Sequence, residues 1–124
     1  LSAMDGNKAV GNHYEGVAAR YLTGRGVRII ARNVHSRGGE IDLIGQDGGT
    51  LVFFEVRYRG PGSLADPASS ITPQKQRRVR QAAAFYLHRH GQWDCLSRID
   101  VIAISPGTVK RYRVQWIKNA IDAG

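Results

Sequence analysis

GEIDLIGQDGGTLVFFEVRYR, running from Gly39 to Arg59, is the stretch on which the fold of this chain turns. Its pattern predicts two strands joined by a tight, glycine-bearing turn. On the first strand Ile41 and Leu43 alternate with Glu40, Asp42 and Ile44. On the second, Val52, Phe54, Val56 and Tyr58 alternate with Phe53, Glu55, Arg57 and Arg59. One face is therefore almost wholly apolar; the other is apolar at Ile44 and Phe53, near the turn, and ionised at its far end. Closure around Gln46 to Thr50 with Ile44 opposite Phe53 sets Asp42 opposite Glu55 and Glu40 opposite Arg57. Like charges opposed across a ladder repel. A positive group is expected between them, and a hard divalent cation held by carboxylate oxygens meets that need.

Working outward, residues 11–24 carry a helical stripe of Tyr14, Ala18, Tyr21 and Leu22 that ends at Gly24 or Gly26. Glu15 lies at the edge of that stripe and has two readings. With Asn12 as helix cap, Glu15 closes a capping box; with the helix starting earlier, near Asn7, it leans over the sheet as a ligand for metal or water. Residues 1–10 read as a tail, Leu1 to Asp5 resembling an appended remnant around Met4. Val27 to Asn33 predicts a strand and His35 to Gly39 a turn, where His35 is either solvated or a ligand. Residues 60–70 hold two of the four prolines and no periodicity, and are read as a mobile loop, a flap that orders on substrate.

Ile71 to His90 predicts a second helix, with Thr72 as cap and Pro73 in the first turn. Ile71, Val79, Ala82, Ala83 and Tyr86 share one face. Lys75 falls inside that stripe and Arg78 at its margin, while Arg77 and Arg80 point away. An inward lysine must either snorkel past the sheet edge or reach an acidic site, and the carboxylates inferred above favour the second. Arg98 to Ser105 is apolar on both faces, as a central strand parallel to the second hairpin strand would be. Asp100 at its entry is read as one half of a structural ion pair with Arg98, in preference to a metal ligand. Val109 to Trp116 predicts an edge strand bearing Lys110, Arg111 and Arg113, and Lys118 to Asp122 a last helical turn.

At 124 residues, this is one domain, residues 11–122, able to bury roughly two-thirds of its unfolded surface. Lys and Arg total 18 against 10 acidic residues, a formal charge of +8 that favours a polyanionic partner. A single cysteine, Cys95, rules out an internal disulfide; it is expected as a small buried or half-buried residue in a reducing cytoplasm. No apolar run reaches the ~18 residues of a membrane span, and no signal peptide is read at the start.

The segments Gly39 to Ile44 and Val52 to Arg59, with Glu15, Arg32-Asn33, Lys75, Ala82-Ala83, Tyr86-Leu87 and Arg98 to Val101, resemble the YraN-like family of bacterial proteins, UPF0102. The pattern is similar to that of archaeal Holliday-junction resolvases and the restriction-endonuclease-like superfamily, and covers residues 11–120. The resemblance implies an α/β fold with an αβββαβ core and a mixed central sheet flanked by helices. It implies a Mg2+- or Mn2+-dependent endonuclease, with Asp42 and Glu55 as metal-binding acids, Glu15 as the acid on the first helix, and Arg57 at the catalytic lysine position.

The residues add the backbone carbonyl of Val56 as a further metal ligand and Lys75 as a cation from the facing helix. Arg59, Arg77, Arg78, Arg80, Lys110 and Arg113 are expected to grip the nucleic-acid backbone. The expected substrate class is DNA, branched or damaged, in recombination or repair, and a homodimer would fit symmetric cleavage of a junction. Arg57 departs from the nuclease pattern, because a guanidinium effectively keeps its proton whereas a lysine can lose one. Two other classes stay open: a nucleic-acid-binding module on this fold with weak or lost catalysis, and an adaptor with a basic interaction surface.

Overall fold

The computed structural model describes residues 3–60 and 71–122, with side chains from Gly11 onward. Its elements follow the order α1 (Ala3–Gly24), β1 (Arg28–Ser36), β2 (Gly39–Asp47), β3 (Thr50–Tyr58), α2 (Pro73–Arg89), β4 (Ser97–Pro106) and β5 (Tyr112–Ile121). They form one five-stranded sheet in the order β1-β2-β3-β4-β5. The β3–β4 pair is parallel and the other three pairs are antiparallel. This is the expected αβββαβ order with one further strand at the edge.

The two helices lie on opposite faces because β3 is apolar on both. Leu51 and Phe53 pack with Val79, Ala82, Ala83 and Tyr86 of α2. Val52 and Phe54 pack with Val17, Ala18, Ala19 and Leu22 of α1. The parallel pairing of β3 with β4, reached through α2, buries Val101, Ile102 and Ile104 centrally. Gly26, at φ 90°, ends α1 by letting the Val27 N–H reach back to the Leu22 carbonyl at 3.0 Å. Thr72 Oγ1 accepts from the Lys75 N–H at 3.1 Å and Pro73 opens α2, as its sequence predicts. Gly39 brings β2 against α2 so closely that a Cβ there would lie 2.4 Å from the Arg78 carbonyl oxygen.

Several expectations are corrected. The first helix starts at Ala3, which makes residues 3–10 helical and decides between the two readings of its start: Asn12 lies inside the helix and cannot serve as cap. β1 runs on to Ser36, which puts His35 in a strand and shrinks the turn to Arg37-Gly38. Lys118 to Asp122 forms no helical turn. β5 continues to Ile121 because Ile117 and Ile121 return to the core opposite Val101 and Ile99, with Asn119 at φ 53° absorbing the irregularity between them. Cys95 is exposed, since the segment after α2 runs over the surface. Most of the loop read over residues 60–70 lies outside the described residues.

Candidate active site

Ile44 stands opposite Phe53 and Leu43 opposite Phe54, the predicted register, and there the β2–β3 pairing stops. Strict alternation stops with it. Leu43 belongs to the core under α1, while Ile41 belongs to the core under α2, so the backbone changes face between them at Asp42. Across the sheet, β1 makes the matching adjustment at Asn33, which takes φ 51° between the pairs Arg32–Leu43 and Val34–Ile41. An asparagine tolerates that left-handed backbone better than most residues do. With the strands parted, Asp42 Oδ2 accepts the Val56 N–H at 2.8 Å. A side chain has taken the place of a ladder bond, and Asp42 and Glu55 face each other where the strands separate. Glu40 does not meet Arg57; it stands opposite His35, with Glu40 Oε2 3.3 Å from His35 Nδ1.

Helix α2 delivers Lys75 into this opening, its Nζ 3.5 Å from Glu55 Oε1. Helix α1 delivers Glu15, which is only 8% exposed. With the Asn33 amide oriented so that its nitrogen faces the carboxylate, the assignment that satisfies both groups, that nitrogen donates to Glu15 Oε1 at 2.6 Å and Oε2 at 3.1 Å. Burial pushes the Glu15 carboxyl up to about 7, helped by the charges of Asp42 and Glu40 and opposed by Arg32. Burial pushes Glu55 up to about 8, with Asp42 adding to the rise and Lys75 and Arg57 opposing it. Asp42 is also raised, by burial, against the pull of the Val56 hydrogen bond and Lys75. Asp42 disfavours the ionisation of both Glu15 and Glu55, which makes a site short of positive charge.

The opening has two unlike sides. A cleft toward α1 is lined by Asn12, Glu15, Asn33, His35, Glu40 and Asp42. Another toward α2 is lined by Arg57, Thr72, Gln74, Lys75 and Arg78. Among the described residues, no three His, Cys, Asp or Glu side chains form a ready-made metal cage. Asp42 and Glu55 alone match the donor set of Mg2+, which is held by one or two carboxylates and keeps several waters. Their raised pKa values fit the same group, since a cation there would stabilise both ionised forms.

The other cations are scattered. Arg77 and Arg80 sit on α2, Arg77 exposed and Arg80 half-buried. Lys110 and Arg113 line a groove with Tyr21 of α1 and Arg25 just after it. Arg59 is half-buried, with Nε and one terminal nitrogen turned into the protein. Arg98 and Asp100 meet near the hairpin turn, away from the carboxylate cluster. Arg98 Nε donates to both Asp100 oxygens at 3.1 and 3.0 Å, and its terminal nitrogen to Asp47 at 2.6 Å. Trp116 Nε1 and the Asn119 N–H complete the shell of Asp100 at 2.8 and 2.7 Å. Sequence reasoning used Asn33 to end a strand and as part of the family pattern, and overlooked it as the partner of Glu15. An asparagine among strand formers was the available signal, since it is disfavoured there unless its backbone is special.

A five-stranded mixed sheet between two helices gives the chain an α/β fold with the αβββαβ core that the resemblance implied. Residues 14–104 match the family described as "Uncharacterised protein family UPF0102". A UPF0102 protein of Marinobacter nauticus is 64% identical over 121 residues, 98% of each chain. One from Symbiobacterium thermophilum is 46% identical over 94% of this chain and 99% of its own. The UPF0102 protein YraN of Escherichia coli is 44% identical over 93% of this chain and 86% of its own. The chain belongs to UPF0102.

Proposed function

We propose that this protein is a divalent-metal-dependent endonuclease that hydrolyses phosphodiester bonds in DNA. The observation that carries the reading is the meeting of Asp42, Glu55 and Lys75 where β2 and β3 part, with a cationic cleft on one side and an acidic cleft on the other. Asp42 and Glu55 would hold Mg2+ or Mn2+, with the Val56 carbonyl and Glu15 as further oxygen donors. A bound divalent ion supplies Lewis acidity to the phosphate and lowers the pKa of a coordinated water.

The chain's own residues do the rest. Arg57 and Lys75 share a cleft with Arg78, and there they offset the charge that develops on the phosphate. Arg57 grips with a planar fork and keeps its proton. Lys75 is the group beside Glu55 that can orient a water by donating to it. Arg77, Arg80, Lys110 and Arg113 extend the positive field along the DNA, and paired cuts on a branched substrate call for two copies of the chain. No described helix is long and apolar enough to cross a membrane. The lone cysteine fits work in a reducing cytoplasm.

The test is cleavage of linear, single-stranded and four-way DNA with Mg2+ or Mn2+ by wild type, Asp42→Asn and Arg57→Lys. Metal-dependent cleavage that Asp42→Asn abolishes is the expected result; cleavage untouched by Asp42→Asn sinks the site. A second reading is favoured by Arg57 itself: a nucleic-acid-binding module on this fold with lost catalysis. Salt-sensitive DNA binding without cleavage, and cleavage gained in Arg57→Lys, would select it.

A further inference from the structure

Beside the carboxylate cluster, on the α1 side of the sheet, lies an aromatic group that the proposed chemistry does not use. The Tyr14 and Tyr58 rings are stacked, with centroids 4.1 Å apart and planes 20° apart. Tyr112 meets Tyr14 edge-on at 5.9 Å, and His13 Nε2 lies 2.6 Å from the Tyr112 hydroxyl. Tyr14 and Tyr112 pack against the core under α1, which accounts for their presence. Tyr58 is held by its stack on Tyr14, but it stands outside that core and is 41% exposed.

In the chain, Tyr14 precedes Glu15 on α1 and Tyr58 follows Arg57 on β3. The surroundings of the stack are cationic, with the Arg111 guanidinium 5.3 Å from the Tyr112 ring centre and Lys110 beside it. An exposed ring backed by a second ring, next to positive charge, is the arrangement that takes the π-face of an unpaired base while cations hold its phosphate. A paired base inside a duplex has both faces covered and cannot use it.

We infer that Tyr58, supported by Tyr14, is a stacking platform for an unpaired nucleobase, so that the preferred substrate carries unstacked nucleotides beside the phosphate to be cut. This rests on the nucleic-acid reading above and deepens it, by naming the ring that would receive an unpaired base of the substrate.

The experiment uses two fluorescein-labelled duplexes, one fully paired and one with a short gap of unpaired adenines, one of them replaced by 2-aminopurine. Anisotropy in EDTA at low salt gives affinity without cleavage, and 2-aminopurine emission reports stacking. Wild type is expected to bind the gapped duplex more tightly and to quench the 2-aminopurine. Tyr58→Leu, which keeps apolar bulk and removes the ring, should lose roughly tenfold in affinity for the gapped DNA, lose the quench, and bind paired DNA as before. Tyr58→Phe should retain both. Equal losses on both DNAs, or a quench unchanged in Tyr58→Leu, overturn the platform. Wild type that binds paired DNA but shows no quench also overturns it while leaving the nuclease reading standing. Binding to neither DNA overturns the nucleic-acid reading, and the platform with it.

Discussion

Lys75 Nζ lies 3.5 Å from Glu55 Oε1, an ion pair that ties the first turn of α2 to the end of β3. Glu55 is 3% exposed, so this ammonium is a main counterweight to the burial that raises its pKa. Lys75→Met should move the Glu55 titration above its present value of about 8, read by carbon-13 NMR of the glutamate side-chain carboxyls. Cleavage should fall by roughly a hundredfold, as when one preorganised charge donor is removed. Lys75→Arg should keep Glu55 where it is. A lysine that merely snorkelled would change neither reading.

Stability should fall as pH rises, the reverse of the usual behaviour of salt-bridged carboxylates. Glu15 and Glu55 rise from an ordinary value of 4.5 to about 7 and about 8 on folding. Between those limits the folded state binds more protons than the unfolded one. Their contribution is therefore fully present below pH ~4.5 and is lost as pH climbs through about 7 and about 8. Urea melts in EDTA should show a loss on the order of a few kcal/mol between pH 5 and pH 8.5. Added Mg2+ or Mn2+ should restore much of it at the upper end, because a ligand that binds only the folded state stabilises it.

Asp42→Asn should separate stability from activity. The substitution removes a charge that raises both Glu15 and Glu55, while its amide oxygen can still accept the Val56 N–H. Thermal melts at pH 8 should show a variant more stable by about 1 kcal/mol. Cleavage should drop to background. A destabilised Asp42→Asn would mean that the carboxylate is there to hold the strands.

Asp100→Ala should be the costliest change outside the carboxylate cluster. Asp100 is fully buried and accepts from Arg98, from Trp116 and from the Asn119 N–H. Its loss leaves a largely buried guanidinium with only Asp47, and two further donors with no acceptor. A destabilisation of about 3–5 kcal/mol by chemical denaturation is expected. Asp100→Asn should cost less, since it keeps part of the acceptor set.

Much of this molecule was legible from local pattern. The order of elements, the Ile44–Phe53 register, the cap at Thr72 and the inward face of Lys75 follow from periods of two and 3.6 and from turn chemistry, all short-range properties. The same short range explains the misses. Lys118 to Asp122 looked helical until Ile117 and Ile121 found partners on β4, a strand many residues earlier. Asn12 as cap and an earlier helix start both stayed open, because nothing nearby decided where the helix begins.

The sequence by itself determined which residues are acidic, which strands carry them and which helix brings a lysine. Only the tertiary structure decided that β2 changes face at Asp42, so that its carboxylate bonds to Val56 beside Glu55 and can share a cleft with Glu15. That break in alternation depends on Asn33 of the neighbouring strand adopting a left-handed backbone, and on two cores pulling Ile41 and Leu43 to opposite faces. Period-two reasoning treats a strand as regular. The site exists because this one is not.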